Sequence, residues 1–188
     1  MQLNRITICV QCIEYCDCFD NFIAVHGSAE ETNLPDKSID FITVAQAFHW
    51  FDRSKTKIEF QRILKDSGKV ILVWNRREEE NELIKENEEL CRRVCEDFVG
   101  FSGGSCANPE SYSDFFKNGL FEYRVFNNIR ILSLEAYIGS SLSSSYAPTK
   151  SDKNYKEFID GLNALFDKYS NNSIIELPMK THCYVGEI

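Results

Sequence analysis

The sequence lacks several features that would place it in large classes of protein. No run approaches the roughly 20 consecutive apolar residues that a membrane-spanning helix needs. The first residues do not resemble a signal peptide. The chain also has no long cluster of Lys and Arg, and its formal net charge is −8. These absences argue against a membrane protein and against nucleic acid or anionic lipid as the main partner. We therefore expect a cytoplasmic protein.

The composition is that of a chain with a real hydrophobic core. It has 188 residues, of which 43% are hydrophobic and 27% are charged. A chain of this size is long enough for one globular domain, and a second domain is not expected. We therefore predict a single domain over residues 1–188, with an atypical N-terminal segment at 1–21.

The eight cysteines raise the question of a metal site. Cys9, Cys12, Cys16 and Cys18 form the pattern C-x2-C-x3-C-x-C. Zinc sites usually combine two separated pairs of ligands, and no second pair follows here. Free thiols, some of them packed as small hydrophobic groups, explain the cysteines more simply. We predict no metal, and the metal hypothesis fails if the purified protein carries no zinc or iron.

Residues 27–77 contain the pattern on which the rest of the chain depends. An apolar run at 22–25, which predicts a strand, is followed by His26 and Gly27. A second apolar run at 39–44 predicts a strand that is apolar on both faces after Asp40, as expected for a central parallel strand. Asp52 is a candidate N-cap for the next helix, and Gly68 is its predicted stop. Residues 70–74 are five consecutive apolar residues, which predict a strand buried on both sides. This alternation indicates a βαβ unit whose ligand lies at the strand ends.

Further helices and strands are predicted outside residues 27–77. We predict helices at 78–99 and 155–169, the second capped by Ser151 or Asp152, and a serine-rich connection at 140–145. Alternating apolar residues at 121–131 predict a strand with an irregularity near Phe126, and 179–185 is the last strand. Residues 5–10 favour a short strand and 12–19 the end of a helix, although short apolar runs do not distinguish the two.

Four ordered motifs resemble one enzyme family. Gly27-Ser28-Ala29-Glu30 is followed by the segment QAFHWFD at 46–52, by GKVILVWNR at 68–76 and by KTHCYVGEI at 180–188. This series resembles the class I S-adenosylmethionine-dependent methyltransferases. It is most similar to the type 11, small-molecule branch that includes trans-aconitate-type enzymes.

The resemblance implies an α/β fold with a Rossmann-like class I methyltransferase sheet. The family's strand order is 3-2-1-4-5-7-6, with flanking helices and a helical insert between the last two strands, here 132–172. Strands 3, 4, 5, 6 and 7 are recognisable, so the predicted sheet is incomplete. The glycine-rich loop after strand 1 and the acidic residue after strand 2 are not found. The resulting hypothesis is an N-terminally truncated methyltransferase whose cofactor binding is impaired.

By resemblance, the cofactor is S-adenosyl-L-methionine. The residues that carry its binding in the family's pattern are Ser28, Ala29, Glu30, Ala45, Gln46, Phe48, His49 and Trp50. Ser28 stands where many members have an Asp that accepts from the adenine amino group. The alternatives are that residues 28–30 only begin a turn, and that Phe48 or Trp50 packs in the core.

The catalytic residues are not identified by the sequence. His49 is a weak candidate for a base, since imidazole titrates near neutrality. Methyl transfer to a carboxylate needs no base, and alignment of the reacting atoms is the main demand. The predicted partner is a small-molecule acceptor under the cover insert, where the candidate lining residues are Tyr137, Ser143, Ser145 and Tyr146. The alternative function is a non-catalytic remnant that binds a partner or forms a homodimer through an exposed sheet edge.

Overall fold

The structure is a computed structural model that describes residues 5–7, 22–101 and 109–188. The chain divides into two compact units. The first contains Met1–Val73, Asn108–Tyr123 and Cys183–Ile188, and the second contains Trp74–Ala107 and Arg124–His182. The N-terminal cysteines and the predicted helix end at 12–19 lie outside the described residues.

The described part of the chain mixes strands and helices. The strands are β1 (Arg5–Thr7), β2 (Phe22–Ala24), β3 (Ile39–Ala45), β4 (Leu64–Arg77), β5 (Glu122–Asn127), β6 (Arg130–Leu132), β7 (Ile175–Leu177) and β8 (Met179–Gly186). The α-helices are α1 (Arg53–Ile63), α2 (Glu82–Val94), α3 (Leu134–Leu142) and α4 (Tyr155–Tyr169). A short 3-10 helix, Phe48–Trp50, lies between β3 and α1. No helix in these ranges is long and apolar enough to cross a membrane.

The main sheet has four strands in the order β3-β4-β8-β5. In the family's numbering these are strands 4, 5, 7 and 6, so this half of the predicted order agrees with the structure. β3 and β4 are parallel, with Ile42 opposite Val70 and Ala45 opposite Val73. Two further sheets have two strands each, β1 with β2 in parallel and β6 with β7 in antiparallel. The sequence did not predict the β6–β7 pair.

The prediction that β3 is a central strand is wrong for the sheet that the structure describes. Among the described strands β3 has a neighbour, β4, on one side only. Val44 is buried, but the Phe41 side chain is 52% exposed. β4 also departs from prediction, because Val70, Leu72 and Trp74 are buried on one face while the alternate residues are only half-buried. An apolar run therefore identified both strands but not how many of their faces are covered.

Gly68 does not end helix α1. The helix runs from its predicted N-cap, Asp52, whose side chain accepts a hydrogen bond from the backbone N–H of Lys55, and it ends at Ile63. Gly68 lies inside β4, where a Cβ atom would be 2.8 Å from Leu64 Cδ2 and 2.9 Å from the carbonyl oxygen of Lys65. Glycine is needed here because the backbone is approached closely.

The second unit is built around helices α2 and α4, which pack against each other. Its core joins Leu90, Val94, Phe158, Leu162 and Ile175, all buried. The predicted boundaries need three corrections. The helix predicted at 78–99 is shorter, α3 extends through part of the predicted serine-rich connection, and the N-cap of α4 is Asn154 rather than Ser151 or Asp152.

One buried carboxylate in the first unit holds the chain between β2 and β3 on helix α1. Glu59 Oε1 accepts hydrogen bonds from the backbone N–H of Thr32, at 2.8 Å, and from the Thr32 hydroxyl. Both Glu59 oxygens also accept from the Arg62 guanidinium, at 2.7 and 2.8 Å. Arg62 in turn donates to the carbonyl oxygen of Leu34 and to Asp36. The bonds from Arg62, with those from Thr32, hold the pKa of Glu59 at about 2 despite its burial.

We predict that Glu59→Gln lowers the free energy of unfolding by about 2–4 kcal/mol, because it leaves Arg62 without its bidentate partner. Urea unfolding at neutral pH measures this loss. The matched control is Asp66→Asn, which removes an ion pair between Lys37 and the Asp66 carboxylate, a side chain that is 95% exposed. This change should alter the free energy of unfolding by less than about 0.5 kcal/mol. Equal losses in the two variants would contradict the assignment.

The same carboxylate gives a pH dependence with a fixed sign. Its pKa is lowered on folding from 4.5 to about 2. Its contribution is therefore complete above pH 4.5 and is lost as the pH falls toward 2. Wild-type stability should fall over this window by on the order of 2 kcal/mol more than that of Glu59→Gln.

We also predict that Gly68→Ala destabilises the protein by about 1–3 kcal/mol, because the new methyl group enters space held by backbone. Gly139→Ala is the control, since nothing lies within 4 Å of a Cβ at this position in α3. This change should stabilise by about 0.5–1 kcal/mol. Thermal melts of both variants measure the difference, and a neutral Gly68→Ala would contradict the packing argument.

Candidate cofactor site

The Ser28 side chain organises a tight turn. Its hydroxyl oxygen accepts hydrogen bonds from the backbone N–H groups of Glu30 and Glu31, both at 3.2 Å. The Ser28 N–H donates to the Glu31 carbonyl at 3.0 Å. The serine therefore has the turn-forming role that was one of the two alternatives. The oxygen of this hydroxyl thus accepts two bonds within the turn, and the hydroxyl also donates to the Glu30 carboxylate.

Glu30 connects this turn to the start of helix α1. Its carboxylate accepts from the backbone N–H of Asp52 at 3.0 Å and lies 3.5 Å from the Thr56 hydroxyl. Burial raises the pKa of Glu30, but the hydrogen bonds from Ser28 and Asp52 outweigh it and leave the pKa below its usual value. An ionised Glu30 at the positive end of a helix is also favoured electrostatically. The contact between Glu30 and Asp52 was not predicted, because the two residues are 22 positions apart in the chain.

Ala45 and Gln46 end the parallel strand β3, and both are exposed. The backbone of Gln46 has a φ of 56°, which is in the left-handed region, and its N–H donates to the Val73 carbonyl at 3.0 Å. A left-handed non-glycine residue costs free energy and is concentrated at functional sites. This conformation turns the chain sharply from the strand into the 3-10 helix.

The three aromatic residues of the 3-10 helix divide into one buried and two exposed side chains. Phe48 is only 1% exposed, and its ring contacts those of Phe51, Tyr112 and Phe115. The Arg53 guanidinium lies 5.1 Å from the Phe48 ring centroid. Phe48 is therefore a core residue, as one alternative held. Its partners Tyr112 and Phe115 were not predicted, although the aromatic residues within 112–116 were a visible signal in the sequence.

His49 and Trp50 lie on the surface instead. Trp50 is 78% exposed, and its ring centroid is 4.6 Å from that of His49 at an interplanar angle of 42°. Such high exposure is unusual for a tryptophan, because burial of a large aromatic ring is strongly favoured. The pair offers an aromatic surface to a flat or cationic ligand.

The four candidate acceptor-lining residues fall into different environments in the second unit. Tyr137 is buried, its hydroxyl is bonded to Asn87 Nδ2, and burial raises its pKa to about 12. This core position does not support the prediction that Tyr137 lines a pocket. Ser143 caps helix α3, and its hydroxyl donates to the Ser140 carbonyl. Ser145 and Tyr146 line a cavity of about 410 Å³.

Metal ligands do not cluster in the part of the chain that the structure describes. No group of three His, Cys, Asp or Glu side chains there is arranged to hold a metal ion. Cys91 and Cys95 are buried free thiols.

Comparisons with known proteins extend these observations. The profile of the family described as "Methyltransferase domain" matches residues 6–72. An uncharacterized methyltransferase of Mycobacterium tuberculosis is 41% identical over 71 residues, which cover 38% of this chain but only 29% of that protein. An uncharacterized methyltransferase of Schizosaccharomyces pombe is 33% identical over 175 residues, covering 90% of this chain and 67% of that protein. The chain belongs to the class I S-adenosylmethionine-dependent methyltransferases.

Solved structures agree with this assignment at the level of the fold. A protein of Anaeromyxobacter dehalogenans, assigned as a type II methyltransferase, superposes with a TM-score of 0.59 over 96% of this chain and 76% of that chain, at 17% identity. A protein of Anabaena variabilis, assigned as a methyltransferase of antibiotic biosynthesis, has a TM-score of 0.56 over 95% and 79% of the two chains, at 15% identity. At these identities the likeness shows a shared methyltransferase fold.

The division between Phe48 and Trp50 gives a direct prediction for this chain. Phe48→Ala should lower the free energy of unfolding by about 3–5 kcal/mol, because it leaves a cavity among packed rings. Trp50→Ala should cost less than about 1 kcal/mol, because the indole is exposed. Urea unfolding of both variants tests this contrast. A larger loss of unfolding free energy for Trp50→Ala than for Phe48→Ala would contradict the assignment of Phe48 as buried and Trp50 as exposed.

Proposed function

We propose that the protein transfers a methyl group from S-adenosyl-L-methionine to a small-molecule acceptor. The observation that carries this proposal is the exposed His49–Trp50 pair, which follows the left-handed Gln46 at the end of a parallel strand. In open α/β sheets, ligands bind beyond the carboxyl ends of the strands. A family member that leaves an indole 78% exposed at this end has a surface suited to the cofactor.

The residues present fit the adenine and sulfonium side of the cofactor. The turn of Ser28, Ala29 and Glu30 would face the adenine, with the Ser28 hydroxyl as a neutral hydrogen-bonding group. Ala45, Gln46, His49 and Trp50 would lie along the cofactor, and Phe48 would anchor them from the core. When bound, the cofactor supplies an electrophilic methyl group on a sulfonium cation. The aromatic faces of Trp50 and His49 suit that positive charge.

His49 contributes to cofactor contact rather than to proton transfer in this proposal. Its ring packs on Trp50 and both side chains are exposed. A base is dispensable for some acceptors, whereas alignment of the nucleophile, methyl carbon and sulfur is needed for all of them and is worth several kcal/mol. The main task of the residues around Gln46 is therefore to hold the cofactor in one position.

A small molecule is the acceptor class that fits the chain's charge and its cover segment. A net charge of −8 without a basic cluster disfavours a polyanionic acceptor. The cavity lined by Ser145 and Tyr146 has a volume of about 410 Å³, which is in the range of small-molecule sites.

Cofactor binding by this chain is proposed to be weak. The sequence contains no G-x-G motif, so it does not carry the backbone loop that approaches the cofactor's methionine end in this family. Ser28 also supplies no charge where many members have a carboxylate, and neutral hydrogen bonds are weaker than charge-assisted ones.

A second candidate function is a non-catalytic module that associates through β3. This strand is at one end of the described sheet order, and its Phe41 side chain is 52% exposed. Exposed edge strands are ready templates for pairing with another chain. The alternative function is therefore a non-catalytic homodimer formed at this edge.

Calorimetric titration with S-adenosylhomocysteine distinguishes the two functions. We expect a Kd in the micromolar range, on the order of −8 kcal/mol at 1 μM. Trp50→Ala should weaken binding at least about fivefold, because it removes the aromatic contact with the ligand. Ile58→Ala removes another exposed apolar side chain, 69% exposed on α1, and should leave binding unchanged.

Two outcomes would contradict the proposal. Absence of binding, together with a stable dimer in light scattering, would reject the enzyme and support the module. Equal weakening by Ile58→Ala would reject the proposed position of the cofactor.

A further inference from the structure

The cavity in the second unit has a distinct chemical character. It lies between the end of helix α2 and the segment that joins α3 to α4, and its volume is about 410 Å³. Its lining includes buried Cys95 and half-buried Tyr146. A space of this size holds a small organic molecule.

Negative charge prevails around this cavity. Its lining residues include the acidic Glu96, Asp97 and Asp152 but only one cation, Lys153. The Lys153 ammonium lies 3.5 Å from a Glu96 oxygen, so much of its charge is already balanced. Hydrogen bonds from the backbone N–H and hydroxyl of Thr149, at 2.7 and 2.8 Å, lower the pKa of Asp152 and keep it ionised. A ligand in the cavity therefore meets a surplus of carboxylate charge.

Two further features favour a cation at the same place. Helix α2 ends at Val94 with Cys95 as its C-cap, and the C-terminal end of a helix carries partial negative charge. The Tyr146 ring is held by an edge-to-face contact with Phe98, with centroids 4.8 Å apart. A fixed aromatic face beside carboxylates is a common arrangement for binding an organic ammonium group.

The geometry points to a small organic amine rather than a metal ion. Within the described residues, no three acidic, histidine or cysteine side chains converge as a metal site requires. An ammonium group needs only one or two carboxylates and gains from an aromatic wall, and both are present.

We propose that this cavity binds a small molecule that carries a protonated amine, through Asp97 and Tyr146. The cavity is lined by residues of the second unit alone, so this inference stands apart from the proposed function. The amine is the group by which the ligand is held, and no methylated atom is assigned by it.

Three matched probes test the proposal on the whole chain without cofactor. They are 2-phenylethylamine, 2-phenylethanol and 3-phenylpropionate, which share a ring but are cationic, neutral and anionic. Saturation-transfer NMR titrations should give a Kd for the amine at least about tenfold lower than for the alcohol. The amine's Kd should rise as salt is increased from about 20 to 300 mM, because the attraction is screened, while that of the alcohol should not.

Variants then assign the site to the cavity. Asp97→Asn should weaken the amine about three- to tenfold and leave the alcohol unchanged, because it removes one charge without changing shape. Asp160→Asn is the control, since this exposed carboxylate on α4 pairs with Lys156 and does not line the cavity. Thermal melts of both variants monitor folding. Tyr146→Leu, which removes the aromatic face, gives a second test if Asp97→Asn does not fold.

The results separate this inference from the proposed function. Equal affinity for amine and alcohol, no detectable amine binding, or equal effects of Asp97→Asn and Asp160→Asn would overturn the amine site. Binding of S-adenosylhomocysteine without binding of the amine would leave the methyltransferase proposal standing and overturn the amine site. Amine binding without cofactor binding would support the amine site and count against the methyltransferase proposal.

Discussion

The candidate cofactor site depends on how the chain between β2 and β3 is fixed to helix α1. Near the start of the helix, Glu30 accepts from the backbone N–H of Asp52. Near its end, Glu59 accepts hydrogen bonds from Thr32 and Arg62. Arg62 also donates to the carbonyl oxygen of Leu34. Two carboxylates thus attach one irregular segment to one helix at both ends. An irregular segment loses much conformational entropy on ordering, and these charge-assisted bonds offset part of that loss while giving the turn at Ser28 a single position.

The backbone of the segment QAFHWFD lets it bury one aromatic side chain and expose two others. The left-handed conformation of Gln46 ends the strand abruptly, and the 3-10 helix that follows rotates successive side chains in different directions. Phe48 enters the aromatic core, which fixes the helix, while His49 and Trp50 remain outside. The buried ring thereby limits the motion of the exposed pair. The core-packing interpretation thus applies to Phe48, whereas cofactor contact by His49 and Trp50 stays a proposal.

Patterns with a local physical cause were predicted best. The apolar runs at β2, β3, β4 and β8, the periodicity of α4 and the cap at Asp52 follow from neighbours in sequence. Burial of β3, the packing role of Gly68 and the contact of Glu30 with Asp52 depend on partners distant in the chain, and no local pattern encodes them. The same limit applies to Tyr137. Its aromatic type suggested a lining residue, whereas its contact with Asn87, 50 residues away, places it in the core.

The two proposed functions share one strand and are therefore physically linked. Ala45 is the last residue of β3, and Gln46 begins the turn toward the exposed aromatic pair. In the family's strand order, strand 1 lies beside strand 4 and carries the glycine-rich loop. A strand from a second copy that paired with the open side of β3 would occupy that neighbouring place and would add backbone N–H groups close to Gln46. Association would then alter the cofactor surface rather than exist apart from it. The proposed weak cofactor binding and the proposed association thus both trace to the side of β3 that has no partner in the sheet that the structure describes.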